Sequence, residues 1–540
     1  MTPMEDYCDG STQWSYIKSC LVGFVVTVAL SAIVHKLLWK GLWIPLRYRR
    51  IMAKQGVKGP PFRFLVGQLH EMWKYRDSFP DAVPLDSYAD LSPTVTPQYA
   101  LFFPKFPGEK YFLYWWGKSS RLVVRDPEIA KEVFITNHAS MRRILPEDPF
   151  LTRLIGKGVL LHTGEKWVIE RRTISPFFHH DALKGMVEAM VEGTQTEMHK
   201  WEQMVVQGGG SAEIDMEPDV HKISGRILSL TAFSGDYERG VTVYELQKEI
   251  ASEYYKMIRS IGFWLIPRYR DIPTKKHRYM NKMASKIDAL LLELINGRLE
   301  AVRNGEANSY GNDLLGRMLK AAGEGWNEEK EEFNLASVLN NCKLFYFAGQ
   351  DTVANAILYM MLMLALHPTW QDRARQEVME VVGDEEHVDF GVLSHLKVVE
   401  MVAKETLRCF SPAPVMTRSA TTDLQLEKLF IPKGLTIEFA ITAVHQDKEY
   451  WGEDVAEFNP ERFANGVSAA CSHPQAFVPF GLGPKFCVGN NFAMMEMKII
   501  VSRVLRRFQL LPSPNYQHHP TTLMALIRPK YGMPIILKAL

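Results

Sequence analysis

One cysteine stands where a cysteine can do chemistry. In FGLGPKFCVGN, Phe480 to Asn490, Cys487 follows two glycines and a proline, and a third glycine comes after it. The next stretch, VGNNFAMMEMKIIVSRVLR from Val488 to Arg506, has the apolar spacing of a helix. A thiol at a helix start meets backbone N–H groups and the positive end of the helix, both of which favour thiolate. Thiolate sulfur is a strong donor to iron. The glycines let backbone approach a flat ligand and adopt conformations that other residues avoid. The loop reads as one that presents a single sulfur to a bulky planar group.

The pattern Phe480-x-x-Gly483-x-Lys485-x-Cys487-x-Gly489 closely resembles the haem-binding loop of cytochrome P-450 enzymes, the haem-thiolate monooxygenases. The resemblance implies haem b with Cys487 as the axial thiolate on iron. Phe480, Gly483, Lys485 and Gly489 would shape the cofactor seat. One departure matters: the family usually has Arg where this chain has Lys485. An ammonium supplies charge to a haem propionate but not the guanidinium's fork.

Upstream patterns resemble the same family in the same order. Glu405 and Arg408, three apart in KETLR, would in isolation be an ordinary ion pair on a solvated helix. Their neighbours Val402, Leu407 and Phe410 are apolar, and Arg462 in FNPERF completes what resembles the family's buried network locking the haem-side core. Ala348-Gly349-Gln350-Asp351-Thr352 falls midway along an apolar helix, where glycine costs ~1 kcal/mol relative to alanine. A hydroxyl bonding back to a carbonyl distorts such a helix and opens a groove. The family places dioxygen there, beside Ala348 and Gly349, with Thr352 giving it a hydrogen bond and Asp351 relaying protons for O–O cleavage. In GEKWVIER, Trp167 and Arg171 stand four apart on one helical face and resemble the pair that reaches a haem propionate. Arg418, after Pro412 and Pro414, resembles a further propionate partner. The 16 histidines have no context suggesting an iron ligand, and each reads as structural.

These residues need a scaffold, and the periodicity supplies one that is rich in helices. Helical spacing recurs over Ala182–Val206, Val241–Ser260, Lys275–Asn304, Leu335–Ala365, Thr369–Val382 and Leu393–Phe410. KYFLYWWG and SSRLVV read as two strands around a turn, followed by Asp126-Pro127 as cap and first-turn proline of a helix. Later strand-like runs are LQLEKLFIP, LTIEFAI and LMALIRPKYGMPIIL. The expected class is mostly α with small β-sheets at either end, an α+β arrangement that agrees with the cytochrome P-450 fold. The stretch from Asp77 to Pro107, crowded with prolines, is expected to be an extended surface loop.

The amino-terminal part differs in kind. SCLVGFVVTVALSAIVHKLLW, residues 19–39, is close to the ~20 apolar residues that cross a bilayer. Its leader is acidic, so it reads as an uncleaved anchor rather than a signal peptide. Basic residues from Lys36 to Lys58 follow it, which puts residues 1–18 in the lumen and the large carboxyl portion in the cytosol. Residues 40–61, ending in Gly59-Pro60-Pro61, are expected to form a basic, proline-stiffened hinge before a catalytic domain over 62–540.

Composition bounds the function. Among 540 residues, 46% are apolar and 23% charged, and a net charge of +2 argues against nucleic acid as a partner. The six cysteines form no CxxC pair, so neither a disulfide framework nor a zinc site is expected. The resemblance implies hydroxylation with O2 and NADPH-derived electrons. Because no dinucleotide fingerprint is present, a separate NADPH-cytochrome reductase would deliver them at the endoplasmic reticulum membrane. Lys485 and Lys498 are candidates for docking an acidic reductase. GVLL before GEKW, then RRTISPFFHHDALK and RPKYGMPIIL, resemble the plant clan that hydroxylates brassinosteroids, cytokinins, gibberellins and terpenoids, which implies an apolar, isoprenoid-derived substrate. Leu145–Leu161, the segment around Ile261, Phe345, Ala348, Val415 and Leu523 are the pocket candidates by that resemblance. The alternative is a haem-thiolate isomerase or dehydratase that needs no reductase; the Asp351-Thr352 pair argues for the monooxygenase.

Overall fold

The computed structural model describes residues 10–540 apart from 83–84, 86–90, 144–148, 234, 267–268, 324–332, 384–388 and 524. Residues 1–9 of the expected luminal segment lie outside the described residues, as do Leu145 to Asp148 of the first expected pocket stretch.

The apolar run forms α1, Gly10–Leu38, and its described side chains are exposed. A π-helical turn, Trp39–Trp43, carries the chain without a break into α2, Ile44–Ala53. Together they make a candidate membrane span, by length and apolar composition. The expected hinge is therefore helical up to Ala53. Pro45 stands just after the π-helical turn, and the helix continues through it although proline brings no N–H to the ladder. Tyr48 and Met52 are buried against the cluster that holds Trp115, Leu122 and Leu435. Tyr48 donates to the Lys433 carbonyl at 2.8 Å, and Gln55 exchanges hydrogen bonds with the Phe430 backbone.

The strands are β1 (Tyr111–Trp116), β2 (Ser119–Val124), β3 (Met141–Arg142), β4 (Ser211–Asp215), β5 (Met416–Ala420), β6 (Leu424–Gln425), β7 (Phe430–Ile431), β8 (Thr436–Phe439), β9 (Phe508–Pro512), β10 (Pro520–Leu523), β11 (Leu526–Pro529) and β12 (Pro534–Ala539). The largest sheet runs β1-β2-β8-β5-β3, with β2 and β8 parallel. A second runs β4-β12-β9. The small sheets are thus not confined to either end of the chain, since each of these joins strands from distant parts of it. The β1–β2 hairpin and the helix opened by Asp126 match expectation, with Asp126 accepting from the Glu128 N–H at 2.9 Å.

Helices that position the site are α3 (Gly164–Ile174), α4 (Val187–Gln207), α5 (Met216–Ala232), α6 (Tyr237–Ile258), α7 (Leu335–Leu366), α8 (Lys397–Cys409) and α9 (Asn490–Arg507). Apart from α5, each corresponds to a stretch singled out by periodicity or motif. α7 is the axle of the fold: it is long and apolar enough to span a membrane, but 83% of its most apolar window is buried. Small residues bring α5 and α7 close, since a Cβ on Gly225 would lie 2.7 Å from Gln350 and one on Gly349 would lie 3.2 Å from Leu228.

The proline-crowded segment departs from the expected surface loop. Ser92–Val95 and Pro97–Phe102 are helical, with Pro93 and Pro97 in first turns where proline is tolerated. Gln98 and Tyr99 donate to Glu438, a fully buried β8 carboxylate that also receives Tyr114 and Arg121. Four donors satisfy a charge that would otherwise be costly to bury.

Candidate functional site

The cysteine loop is built around one tight contact. Gly483 has φ +72°, and a Cβ there would lie 2.0 Å from the Phe134 carbonyl oxygen, so no other residue fits. Close approach at this glycine is to protein backbone rather than to a planar ligand. Gly489 has φ −94° and caps α9, and a Cβ added to it would meet nothing nearer than the Phe178 ring, at 3.6 Å. The Cys487 N–H donates to the Phe480 carbonyl at 2.9 Å, which closes the loop.

The Cys487 sulfur is exposed, yet burial is the largest influence on its thiol. The two fit together if the sulfur faces a space enclosed by protein, and burial then governs its acidity. Burial pushes the thiol above its ordinary value, against the Gly489 N–H, Arg171 and Arg143, all of which favour thiolate. The helix start alone, expected to lower this pKa, does not outweigh desolvation. A metal on the sulfur would, because a coordinated thiol is deprotonated outright.

Around that space stand four cations: Arg143, Arg171, Arg418 and Lys485. No carboxylate among the described residues pairs with any of them. Burial, then Arg418 and Arg143, push the Lys485 ammonium down to about 8. Burial and Arg143 also drive Arg418 below its ordinary value, and Arg143 is itself lowered, chiefly by burial. The Arg143 Nε is buried without a hydrogen-bond partner among the described residues. Like charges collected out of water call for anions, and the propionates of a haem whose iron binds Cys487 meet that need. The residues present fit the group.

The expected propionate partners gather here in part. Lys485 lies 5.3 Å over the Trp167 ring and donates to the His162 carbonyl at 2.9 Å, while Arg171 donates to the Phe486 carbonyl at 2.9 Å. α3 thus grips the cysteine loop directly. Arg418 lies over the Phe134 ring at 5.1 Å. Arg143 was not expected, because it follows β3 in no recognisable motif and acquires its place only through folding. Lys498 is not a docking residue: it is buried and held by Glu400 at 2.6 Å. Lys485, half-buried among arginines, presents no free ammonium to an outside partner either.

On α7 the Thr352 hydroxyl donates to the Ala348 carbonyl at 2.7 Å, the backward bond expected of it. Phe347, Ala348, Gly349 and Thr352 are partly open within an otherwise buried stretch. Gly349 has a second reason to be small, its packing on Leu228. Phe178 joins the two halves of the site, stacking on Phe345 of α7 and meeting Phe492 of α9 edge-on. Asp351 is bonded to neither Thr352 nor the cysteine loop. It turns to α5 and α6, where His221 Nε2 lies 3.0 Å and the Tyr244 hydroxyl 2.7 Å from its Oδ1. His221 and Tyr244 are thus the side-chain partners of Asp351 among the described residues.

Glu405 and Arg408 are fully buried and joined by two 2.8 Å contacts. Arg462 approaches Glu405 at 3.5 Å and also holds Asp454. Of the pocket candidates, Phe345 stacks on Phe178, Val415 is partly open, Leu523 borders a cavity beside Asp351, and Ile261 opens a short helix, Ile261–Leu265.

The family model described as Cytochrome P450 matches residues 99–535. The 7-deoxyloganic acid hydroxylase of Catharanthus roseus is 35% identical over 528 residues, covering 96% of this chain and 98% of that protein. Cytochrome P450 72A15 of Arabidopsis thaliana is 36% identical, with 96% and 99% covered, and Cytochrome P450 734A2 of Oryza sativa subsp. japonica is 35% identical, with 95% and 93% covered.

Proposed function

This chain belongs to the cytochrome P450 family, and from that premise we propose that it hydroxylates an apolar, terpenoid-derived molecule with electrons from a separate NADPH-dependent reductase. The overall reaction is RH + O2 + NADPH + H+ giving ROH, H2O and NADP+. Bound haem supplies oxygen activation at a thiolate-ligated iron. The observation that carries the reading is Cys487 in the field of Arg143 and Arg171, with Arg418 and Lys485 beside them, four cations that have no carboxylate partner among the described residues.

Each residue then has work that its surroundings support. Arg143, Arg171, Arg418 and Lys485 hold the propionates, with Trp167 backing Lys485. Phe480, Gly483 and Gly489 shape the loop, and Glu405, Arg408 and Arg462 brace it from below. Ala348 and Gly349 leave room for dioxygen, Thr352 orients a hydrogen bond toward it, and Asp351 passes protons. The substrate class is supported by a relative named 7-deoxyloganic acid hydroxylase and by the apolar residues Phe345, Val415 and Leu523. A single amino-terminal span would anchor the enzyme in the endoplasmic reticulum membrane with its body cytosolic.

The test is the reduced carbon-monoxide difference spectrum of the full-length protein, followed by product analysis with a plant reductase, NADPH and a terpenoid panel that includes 7-deoxyloganic acid. A thiolate-type band with a hydroxylated product supports the proposal. Failure to form the band rejects it, and turnover of a peroxide without reductase would favour an isomerase or dehydratase instead.

A further inference from the structure

His221 makes two contacts, and together they fix how many protons it shares. Its Nδ1 faces the Glu217 carbonyl at 2.8 Å. A carbonyl only accepts, so Nδ1 carries a hydrogen. Its Nε2 lies 3.0 Å from Asp351 Oδ1. A neutral ring with hydrogen on Nδ1 would turn a bare lone pair toward an ionised carboxylate, and two acceptors at that distance repel. The contact therefore holds a proton, either on Nε2 as an imidazolium or on Asp351 as a carboxylic acid. Burial works to raise the Asp351 carboxyl, and the hydrogen bonds from His221 and Tyr244 outweigh it, leaving the group below its ordinary value. The geometry thus places one proton between Nε2 and Asp351 Oδ1.

The charged surroundings support that assignment from each side. On α5, Glu217 is paired at 2.6 Å with Arg528 of β11, whose charge also favours ionised Asp351. On α6, Tyr244 donates to Asp351, Glu245 lies in its field, and Lys248 is half-buried nearby. On α7, Gln350 holds the His221 carbonyl at 2.9 Å and Asn355 holds that of Asp351 at 2.6 Å, so both backbones are fixed. A cavity of about 10 Å³ is lined by Tyr244, Lys248, Ala251, Phe347, Asp351 and Leu523. It admits roughly one water.

We propose that His221 and Asp351 form a one-proton store beside Thr352, refilled from solvent through the cavity at Lys248. The proposal rests on the monooxygenase reading. In discharge, the proton held between Nε2 and Asp351 passes fully to the carboxyl and leaves by way of water in the cavity that Asp351 lines together with Phe347 of α7. In recharge, a hydronium ion arriving through the cavity protonates Asp351 and leaves water, and Asp351 returns the proton to its contact with Nε2. No electron moves, and one bond to that proton is broken and remade. His221 is a positioning residue here, because it acts through Asp351.

The experiment compares His221→Gln, whose amide can still donate to Asp351 but cannot carry a proton, with Tyr244→Phe. With haem content and the reduced carbon-monoxide band unchanged, His221→Gln is expected to form about tenfold less product per NADPH at neutral pH, in the range of positioned proton transfer. That loss should shrink as acid is added, and the solvent isotope effect on product formation should rise. Tyr244→Phe removes a donor to Asp351 but not the store, so any loss it causes should not change with pH. Full coupling in His221→Gln, or a loss independent of pH, overturns the proposal.

A second readout does not depend on turnover or on the variant folding. Nitrogen-15 and carboxyl carbon-13 spectra of the wild-type, carbon-monoxide-bound reduced protein should show hydrogen on His221 Nδ1 and one proton in the Nε2–Asp351 contact, so that a bare Nε2 appears only opposite a protonated carboxyl. A bare Nε2 opposite an ionised carboxyl overturns the store. If the contact holds its proton but Thr352→Ala leaves coupling intact, the oxygen-groove reading fails while the store stands.

Discussion

The His445 ring ties Arg408 to the chain entering the cysteine loop: its Nδ1 donates to the Arg408 carbonyl at 3.0 Å and its Nε2 accepts from the Val478 N–H at 3.1 Å. Burial, helped by Arg408, pushes the ring down to about 3, so it stays neutral and keeps one donor and one acceptor. The buried pair on α8 thereby communicates with Phe480 and Cys487 through backbone. Removing one partner strands a charge in the core. Glu405→Ala or Arg408→Ala should cost about 3–5 kcal/mol and abolish haem retention, read from the denaturation midpoint and the haem-to-protein ratio. A variant with an unshifted midpoint would show that the pair is dispensable.

Two glycines of the loop should behave oppositely. Gly483→Ala meets both a left-handed backbone and the Phe134 carbonyl, and should lose the haem-bound fold. Gly489→Ala meets neither and should bind haem almost as the wild type does. Spectroscopic haem content of the purified variants distinguishes the two, and equal loss in both would refute the assignment of strain.

Lys485→Met should act with opposite signs in two forms of the protein. Without haem it removes one of four mutually repelling cations and raises stability, by roughly 1 kcal/mol. With haem it removes a propionate partner and speeds haem transfer to an acceptor globin. Destabilisation of both forms would mean that the His162 contact, not the charge cluster, is what the ammonium serves.

Glu496 on α9 is buried, with Ser224 of α5 donating to it, and burial pushes its carboxyl up to about 8. The folded state keeps the proton while the unfolded state loses it above about 4.5, so stability falls as pH rises through that window. The slope attains at most about 1.4 kcal/mol per pH unit. Glu496→Gln should flatten the profile and leave the variant the more stable of the two near pH 8. Thermal melts across pH check it, and parallel curves for the two proteins would exclude a buried proton here.

Thr352→Ala should keep the haem band and substrate affinity while NADPH use uncouples from product. Unchanged stoichiometry between NADPH consumed and alcohol formed would refute the role given to its hydroxyl.

Much of this was legible where chemistry and spacing coincide in a short stretch. Glu405 with Arg408 and Thr352 bonding back to Ala348 carry their reason locally, whereas Gly483 beside Cys487 stood out in the sequence for a reason, the Phe134 carbonyl, that only the fold supplies. α5 was not legible, because Pro218, Gly225 and scattered Ser and Thr blur its periodicity, and packing against α7 makes it a helix. His221 and Ser224 disappeared from view with it. Arg143 owes its role to distant cations that only the folded chain assembles. The proline-crowded segment misled for the converse reason: Pro93 and Pro97 start helices instead of preventing them, and the buried Glu438 that anchors Gln98 and Tyr99 lies some 340 residues away.

The helical passage from α1 into α2, with Tyr48 and Gln55 fastened to the β7 hairpin, leaves the body no swivel. Were α1 to span a bilayer, an enzyme joined to it in this way would meet the lipid plane at one fixed tilt. Apolar molecules dissolved in the bilayer would then find its entrance at a constant depth, so lengthening the tether with a flexible insert should slow uptake of membrane-borne substrates while sparing water-soluble ones.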